Sequence, residues 1–263
     1  MRLDSYLVYK KFCSSRVKAK DVINNGLVAV NGIIVTKASY EVIEDVEITV
    51  EKSSISPFVS RGGLKLDKAI NSFKIDFKDK IVLDIGASTG GFTDCSLKHG
   101  AKLVWAIDVG TEQLDISLKN NSKVNSLENT DFRKLDPRLL GGKVDIIVAD
   151  LSFISLKHIL GNIPKFLFEN GVAIILIKPQ FEAGPKNIGK GGIVKNKKIH
   201  HDILKSIIDL SDSIGLYLVN LTWAPIIDSR KNIEYLALYS KKQSKHPDYK
   251  HIVDSAFENK KES

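Results

Sequence analysis

The sequence is poor in cysteine and has no long apolar run. Cys13 and Cys95 are its two cysteines among 263 residues, and they form no C-x-x-C pair. A disulfide scaffold and a structural zinc site are therefore not expected, whereas a reducing compartment is. The longest apolar run, from Gly171 to Ile177, falls far short of the roughly 20 residues that span a bilayer. The chain opens on an amphipathic pattern without a secretory leader, so we predict a cytoplasmic protein.

Two common nucleotide-binding signatures are also missing. The chain has no G-x-G-x-x-G sequence, which dinucleotide sites use to approach a pyrophosphate. It has no Walker sequence G-x-x-x-x-G-K-[ST] either. Dinucleotide-dependent enzymes and P-loop nucleotidases are therefore not expected.

A different glycine-rich turn lies within residues 81–94, which read IVLDIGASTGGFTD. An apolar run contains Asp84 near its end, and a Gly-rich turn and an amphipathic stretch follow, which is typical of a buried strand leading into a helix. The next apolar run ends on Asp108, where an acid accepts hydrogen bonds from a ribose hydroxyl. The pattern predicts an adenosine-containing cofactor. Its D-x-G-x-x-x-G-G-F arrangement resembles motif I of S-adenosylmethionine (SAM) methyltransferases; the alternative is a glycine turn without a ligand.

The composition is that of an ordinary globular protein with a basic charge balance. Hydrophobic residues make up 43% of the chain and charged residues 27%, which suits one sizeable core and a small additional module. The net charge is +8 and the pI is near 9.2. A basic balance of this size favours a polyanionic partner, although it says nothing about the fold.

Residues 1–50 have the pattern of a separate small module. We predict a helix from Leu3, then a second helix over 16–25 that is capped by Ser14 or Ser15 and closed by Gly26. Asn-Gly at 31–32 lies between two β-rich runs and predicts a hairpin, and 47–51 alternates as a third strand. The order helix, helix, hairpin, with S-R-x-x-A-x-x-x-I-x-x-G-x-V-x-V-N-G, resembles the S4 RNA-binding domain.

Several basic side chains of this module follow the second helix, which suggests a face that reads phosphates; the alternative is a solvated basic helix. With Arg61 beyond the module, the predicted RNA-contacting residues are Arg2, Arg16, Lys18, Lys20 and Arg61.

A polar, Pro-terminated linker is expected at 51–58, before a domain over 59–245 in which strands and helices alternate. Such alternation predicts an α/β fold with a mostly parallel sheet covered on both faces. The predicted strands are 81–85, 103–108, 145–149, 172–177, 217–223 and 234–240. The predicted helices are 63–73, 92–99, 112–118, 155–167 and 198–214. Residues 246–263 are expected to form a basic tail, either frayed or folded into a short helix.

Four polar residues fall at or near the places where an open α/β sheet binds its ligands. Asp150 and Lys178 each end an apolar run, Glu234 opens a late strand, and Lys65 lies in the helix that follows Arg61. An ammonium group at the end of a buried strand must be paired or have a lowered pKa, and Asp150 and Glu234 are candidate partners. A simple core ion pair is the alternative explanation.

The whole chain resembles the TlyA family, also called haemolysin A, in which an S4 domain precedes an FtsJ-like ribose 2′-O-methyltransferase. The matching stretches are FVSRGGLKL, VLDIGASTGGFTD, AIDVG, ADLSFISL, LIKPQFE and GGIVKN. The resemblance implies a small α+β domain followed by a Rossmann-like methyltransferase domain that uses SAM and no metal. It implies ribosomal RNA or ribosomal subunits as the partner and a cytidine ribose as the target, with no role for DNA or a membrane.

The resemblance also implies roles for individual residues. The family's catalytic Lys-Asp-Lys-Glu tetrad corresponds to Lys65, Asp150, Lys178 and Glu234, with Lys178 as the base that deprotonates or orients the hydroxyl. The cofactor-binding residues are then Asp84, Gly86, Ala87, Ser88, Gly90, Gly91, Phe92, Asp108, Asp131 and Phe132. Asp131 and Phe132 correspond to positions that contact the adenine.

One stretch departs from the family pattern. Members usually have a glycine-containing loop before N-x-E, whereas this chain reads IDSRK at 227–231. Asp228 is therefore a rival acid to Glu234, and Arg230 and Lys231 are further candidates for RNA contact. Three other functions stay open at this point: a membrane-active haemolysin, an RNA-binding protein without catalysis, and a methyltransferase for proteins or small molecules.

Overall fold

The computed structural model describes residues 1–13, 15–24, 26–43, 46–50, 57–226 and 230–262. These residues form two compact units, Met1–Ser60 and Arg61–Ser263. The predicted cap Ser14, the predicted helix end Asn25, most of the predicted linker and the rival acid Asp228 lie outside the described residues.

The first unit packs two helices against a small antiparallel sheet. Its elements are α1 (Leu3–Tyr9), α2 (Arg16–Asn24), β1 (Val28–Val30), β2 (Ile33–Ile34) and β3 (Ile48–Val50), with the strand order β2-β1-β3. The Asn-Gly turn between β1 and β2 has positive φ at both residues, +50° and +77°, as the predicted hairpin requires. Ser15 accepts a hydrogen bond from the amide of Lys18 at 3.3 Å. The apolar faces of both helices are buried with β1.

The second unit is a seven-stranded sheet with the order β6-β5-β4-β7-β8-β10-β9. Five neighbouring strands are parallel, and β10 runs antiparallel to both β8 and β9. The central strands are buried almost throughout, as expected where helices cover both faces. The strands are β4 (Ile81–Ile85), β5 (Leu103–Ile107), β6 (Val124–Leu127), β7 (Val144–Ala149), β8 (Leu167–Ile177), β9 (Tyr217–Trp223) and β10 (Tyr235–Ser240).

The helices of the second unit connect and cover these strands. They are α3 (Gly62–Phe73), α4 (Gly91–Lys98), α5 (Ile116–Lys119), α6 (Ile163–Phe166), α7 (Pro179–Glu182), α8 (Lys197–Ser213) and α9 (Tyr249–Glu262). The predicted α/β class is confirmed, with a parallel-dominated sheet after a small α+β unit. Among the described residues, no helix is both long enough and apolar enough to cross a membrane.

Two predicted helices differ from the structure, and strand β6 was missed. The predicted helix 112–118 is reduced to α5, because Asp115 accepts a hydrogen bond from the Ser117 amide at 2.9 Å and so begins the helix late. The predicted helix 155–167 is two 3₁₀ turns and α6, whose first turn contains Pro164. Strand β6 was not predicted, since VNSL is a short edge strand with two polar residues.

The carboxyl-terminal residues contain a full helix rather than a frayed end. Helix α9 buries Val253 and Ala256 completely, and it packs on α8 and β9. The apolar stripe of this helix is short and has lysines at either end, which explains why its periodicity is weak in the sequence.

Candidate active site

Strand register brings three of the four predicted catalytic residues to one edge of the sheet. In the antiparallel pair, Tyr235 lies opposite Ile177, so the preceding residue Glu234 comes level with Lys178. In the parallel pair, Ala149 at the end of β7 lies opposite Ile175, and Asp150 follows it. The acid, the lysine and the second acid are therefore neighbours because three adjacent strands end or begin together.

Helix α3 adds the fourth side chain, and the four charges form one connected network. Lys65 Nζ lies 2.8 Å from Glu234 Oε2 and 3.4 Å from Asp150 Oδ2. Lys178 Nζ lies 2.5 Å from Asp150 Oδ1. Asp150 thus bridges the two lysines, and the contacts run in one series from Glu234 through Lys65 and Asp150 to Lys178.

The network is largely buried, and it brings two lysines together with two acids. The four side chains are between 10% and 25% exposed, so each is accessible from one side only. Burial lowers the pKa of Lys65, but the charges of Asp150 and Glu234 outweigh this effect and the net result is a raised pKa. Lys65 therefore stays cationic at neutral pH and holds both acids in position.

Two polar residues that the sequence did not single out complete the network. Lys178 donates to the hydroxyl of Ser152 at 2.9 Å. Gln180 donates from Nε2 to Glu234 Oε1 at 3.1 Å. Ser152 lies in the stretch ADLSFISL and Gln180 in LIKPQFE, each two residues after a tetrad member. This spacing is the feature of the sequence from which they could have been predicted.

The loops that follow β7 and β8 interlock through further pairs. The rings of Phe153 and Phe181 are in tilted contact, with centroids 5.2 Å apart and an interplanar angle of 50°. Glu182 accepts from the Ser155 hydroxyl at 2.6 Å and from the Leu156 amide at 2.8 Å. Together with the bond between Lys178 and Ser152, these contacts join the two loops at three places.

Beside the tetrad lies a cavity of about 510 Å³, within the range of small-molecule sites. Its wall includes Asp150 from the tetrad and five of the predicted cofactor residues, Gly86, Ser88, Asp108, Asp131 and Phe132. Both carboxylate oxygens of Asp108 accept backbone hydrogen bonds, from Ser88 at 2.7 Å and from Gly110 at 2.8 Å. The carboxylate is thereby fixed at the end of β5.

Two of the glycines meet different demands. A Cβ on Gly86 would lie 2.9 Å from a Leu151 methyl and 3.0 Å from the Asp150 carbonyl oxygen, so a side chain there would clash with the residues that follow β7. A Cβ on Gly90 would lie 2.3 Å from a methyl of Leu118. Gly90 therefore makes room for the packing of α5, a structural reason that the motif alone did not reveal.

The other predicted cofactor residues lie behind the cavity wall. Ala87, Gly91 and Phe92 are buried in the turn and the first residues of α4. Asp84 is fully buried; its Oδ2 accepts from the Thr93 hydroxyl at 2.7 Å, and its Oδ1 has no hydrogen-bond partner among the described residues.

Asp131 has a partner that the sequence analysis missed. Arg133 binds it at 2.7 Å, and both residues line the cavity. The side-chain hydrogen bond from Arg133 lowers the pKa of Asp131 to about 2, so this carboxylate is charged at any physiological pH. Val109, Gln113, Ser152 and Phe153 also line the cavity and were not predicted.

The predicted RNA-contacting residues of the first unit divide into two groups. Arg2 and Arg16 both pair with the buried Asp4, at 3.1 and 3.0 Å, and their side chains stay about half exposed. Lys20 is exposed and Lys18 partly so. In the second unit, Arg61 is exposed just before α3.

Comparison with known proteins agrees with both units. The family model described as FtsJ-like methyltransferase matches residues 58–241, and that of the S4 domain matches residues 1–48. The chain is 42% identical over 238 residues to Hemolysin A of Brachyspira hyodysenteriae, covering 90% of this chain and 98% of that one. It is 37% identical over 234 residues to the 16S/23S rRNA (cytidine-2'-O)-methyltransferase TlyA of Mycobacterium tuberculosis, covering 89% and 87%.

A solved structure is similar over the full length. It is a protein of Streptococcus thermophilus described as a hemolysin candidate, with 38% identity and a TM-score of 0.78. The alignment covers 100% of this chain and 98% of that one, so the similarity extends through both units.

Proposed function

The chain belongs to the FtsJ-like methyltransferase family and carries an S4 domain, and from this premise we propose that it methylates a ribose 2′-hydroxyl of ribosomal RNA. Family membership confirms the predicted enzyme class and the predicted cofactor, SAM. The observation that carries the proposal is the contact network of Lys65, Asp150, Lys178 and Glu234 beside the cavity.

The residues around the cavity suit SAM. Its ribose hydroxyls are donors, and the fixed carboxylate of Asp108 is an acceptor at the end of β5. Gly86 lets this turn pack closely against Asp150 and Leu151 in the cavity wall. The Oδ1 of Asp84, which has no hydrogen-bond partner among the described residues, lies two residues before Gly86 in the chain. Asp131 and Phe132 would hold the adenine end. When bound, SAM supplies an activated methyl group for transfer to a nucleophile.

Lys178 is the residue that we assign to the hydroxyl. A ribose hydroxyl is a weak nucleophile until its proton is removed, and an amine at the reacting oxygen performs that task. Asp150, at 2.5 Å, stabilises the ammonium that forms, and Ser152 fixes the amine from another side. Lys65 and Gln180 hold Asp150 and Glu234 in place.

Phe153 is suited to hold the base of the target nucleotide. This residue is 91% exposed, although it lines the cavity three residues after Asp150 and contacts the ring of Phe181. Its φ of +64° is unusual for a bulky residue, so the loop holds the ring outward at a conformational cost. Proteins that act on single RNA nucleotides commonly stack an unpaired base on such an aromatic ring.

The target class follows from the polynucleotide-binding features and the relatives. A separate S4 unit and a net charge of +8 suit a large structured RNA. The relative from Mycobacterium tuberculosis is named for cytidine 2′-O-methylation of 16S and 23S rRNA. We extend that target to this chain, with cytidine as the proposed nucleoside and the assembled subunits or their RNA as the partner.

Replacement of Lys178 by methionine tests the proposal. The Lys178→Met variant keeps the side-chain volume and loses the amine, so we expect methyl transfer to rRNA to fall by about 10²–10⁴-fold. The affinity for SAM, measured by calorimetry, should change little, because Lys178 does not line the cavity. Lys68→Met is the matched control, since Lys68 lies on α3 over the ring of Trp223, outside the tetrad contacts. Wild-type transfer by Lys178→Met would refute the assignment.

A further inference from the structure

A lysine-rich segment follows the second tetrad lysine. Between Glu182 and Asp202 the chain contains no acidic residue. The segment of interest runs from Gly184 to Lys198, and we call it the basic loop. All five of its lysines are exposed: Lys186, Lys190, Lys195, Lys197 and Lys198.

The basic loop is hydrogen-bonded to the residues around Glu234, the tetrad acid that comes just before β10. Asn232, two residues before Glu234, accepts from the Val194 amide and donates to the Gly192 carbonyl oxygen, both at 2.9 Å. The buried His200 contacts the Val194 carbonyl oxygen at 2.9 Å and the Tyr235 hydroxyl at 2.8 Å. The carboxyl-terminal part of the basic loop is therefore held by two residues, one before and one after Glu234 in the sequence.

The middle of the loop is compact and open to one side. Gly189 donates to the Ile193 carbonyl oxygen at 3.0 Å, and Gly192 donates to the Gly189 carbonyl oxygen at 3.1 Å. Gly191 and Gly192 have positive φ, and nothing lies within 4 Å of a Cβ built on either. The backbone of this turn is thus accessible to a large ligand and is not covered by neighbouring side chains.

The charges of the loop are largely uncompensated within the described residues. Lys197 pairs with Asp254 at 3.1 Å. The structure gives no acidic partner within 4 Å to Lys186, Lys190, Lys195 or Lys198 in the part of the chain that it describes. Clustered cations without acids create a positive potential, which favours a polyanion at this place.

We propose that the basic loop binds the phosphodiester backbone of the RNA strand next to the target nucleotide. This inference rests on the proposed function, and it adds a second RNA surface to the S4 unit. Lys186 and Lys190 neutralise phosphates, while Asn232 keeps the loop at the edge where the tetrad acts. The partner is recognised by charge and not by base sequence, since lysine binds phosphate as a point charge.

Two double variants with the same loss of charge test the inference. Lys186→Ala/Lys190→Ala removes two cations from the loop, and Lys74→Ala/Lys78→Ala removes two exposed cations near the amino end of β4, away from the tetrad. The probe is deproteinised ribosomal RNA from cells that lack this enzyme. Filter binding at several KCl concentrations gives the affinity and its salt dependence, and methyl transfer gives KM and kcat.

For the loop variant we expect RNA affinity to fall roughly tenfold and the slope of log K against log [KCl] to decrease by about 1 for each lysine removed. KM for RNA should rise in parallel, while kcat and SAM affinity stay at the wild-type level. The control variant should behave as wild type. Asn232→Ala should also raise KM for RNA, because the main chain of the loop loses its two hydrogen bonds with the Asn232 side chain.

The two proposals fail in different ways. Equal RNA affinity and equal salt slope in the loop variant and wild type would overturn the inference, whatever the methylation result. If wild type binds the RNA with the predicted salt slope but transfers no methyl group to it, the loop assignment stands and the proposed function falls.

Discussion

Asp84 is a buried carboxyl group at the heart of the glycine-rich motif, and its ionisation depends on its surroundings. Burial raises the pKa of Asp84 to about 7, an effect that the hydrogen bond from Thr93 only partly offsets. The unfolded chain has an ordinary carboxyl group there, with a pKa near 4. Between these two values the folded state binds more protons, so this residue makes the protein less stable as the pH rises.

Asp84→Asn is therefore expected to stabilise the cofactor-free protein at high pH. The amide oxygen still accepts from Thr93, but no charge has to be buried. Relative to wild type, we expect its advantage in unfolding free energy to grow by roughly 2–3 kcal/mol between pH 5 and pH 8. Urea unfolding of both proteins at the two pH values measures this. A pH-independent difference would show that Asp84 titrates normally in the folded state.

At the scale of elements, the site depends on where strands β7, β8 and β10 meet. The sequence predicted where these strands end or begin, because each is a continuous apolar run next to a charged residue. Strand β7 stops at Asp150, β8 stops before Lys178, and β10 starts after Glu234. The strand ends also singled out the four polar residues, whereas their role as a catalytic tetrad came only from the family resemblance. The register between strands decides which side chains touch. Register arises from the pairing of two strands, so it cannot be predicted from the apolar run of either strand alone.

The parts that the sequence did not predict are those that depend on contacts between loops. Glu182 gives no signal of its own, yet it ties the loop after β7 to α7. Arg133 and Asp131 are two residues apart, but their pairing depends on the turn between them. For residues 246–263 the sequence left a short helix and a frayed tail as alternatives, and the contacts of α9 with α8 and β9 decide between them.

Glu182→Ala tests the importance of the link between the two loops. Removal of the acceptor leaves the Leu156 amide without its partner, which should lower the unfolding free energy by about 1–3 kcal/mol. We also expect kcat to fall roughly tenfold, since the loops that carry Ser152 and Lys178 lose one of the three places where they are joined. Glu169→Ala is the control, because Glu169 is 80% exposed near the amino end of β8, whereas the tetrad lies at its carboxyl end. Equal kcat in both variants would show that the loops hold the tetrad without Glu182.

At the scale of the whole molecule, our proposals assign RNA binding to both units. The first unit was predicted in detail because its helices and its Asn-Gly turn are local signals. What the sequence did not show is that Arg2 and Arg16 are both anchored on the buried Asp4. Their guanidinium groups thus have a structural task in addition to any contact with RNA.

In the part of the chain that the structure describes, Lys18 and Lys20 of α2 pair with no acid as Arg2 and Arg16 do, so they report on RNA binding more cleanly. For Lys18→Ala/Lys20→Ala we expect weaker binding to ribosomal subunits, with a salt slope reduced by about 1 for each lysine that binds a phosphate. SAM affinity and thermal stability should match those of wild type. If subunit binding is unchanged, the alternative of a solvated basic helix is correct and the first unit binds RNA by other residues.

The chemical identity of the product tests the central claim most directly. The protein is incubated with methyl-labelled SAM and with each ribosomal subunit from cells that lack it, and the RNA is then hydrolysed in alkali. A 2′-O-methyl group removes the hydroxyl that attacks the adjacent phosphate, so our account predicts label in alkali-resistant dinucleotides. Label in mononucleotides would mean methylation of a base, and it would contradict the role assigned to Lys178 and its three partners.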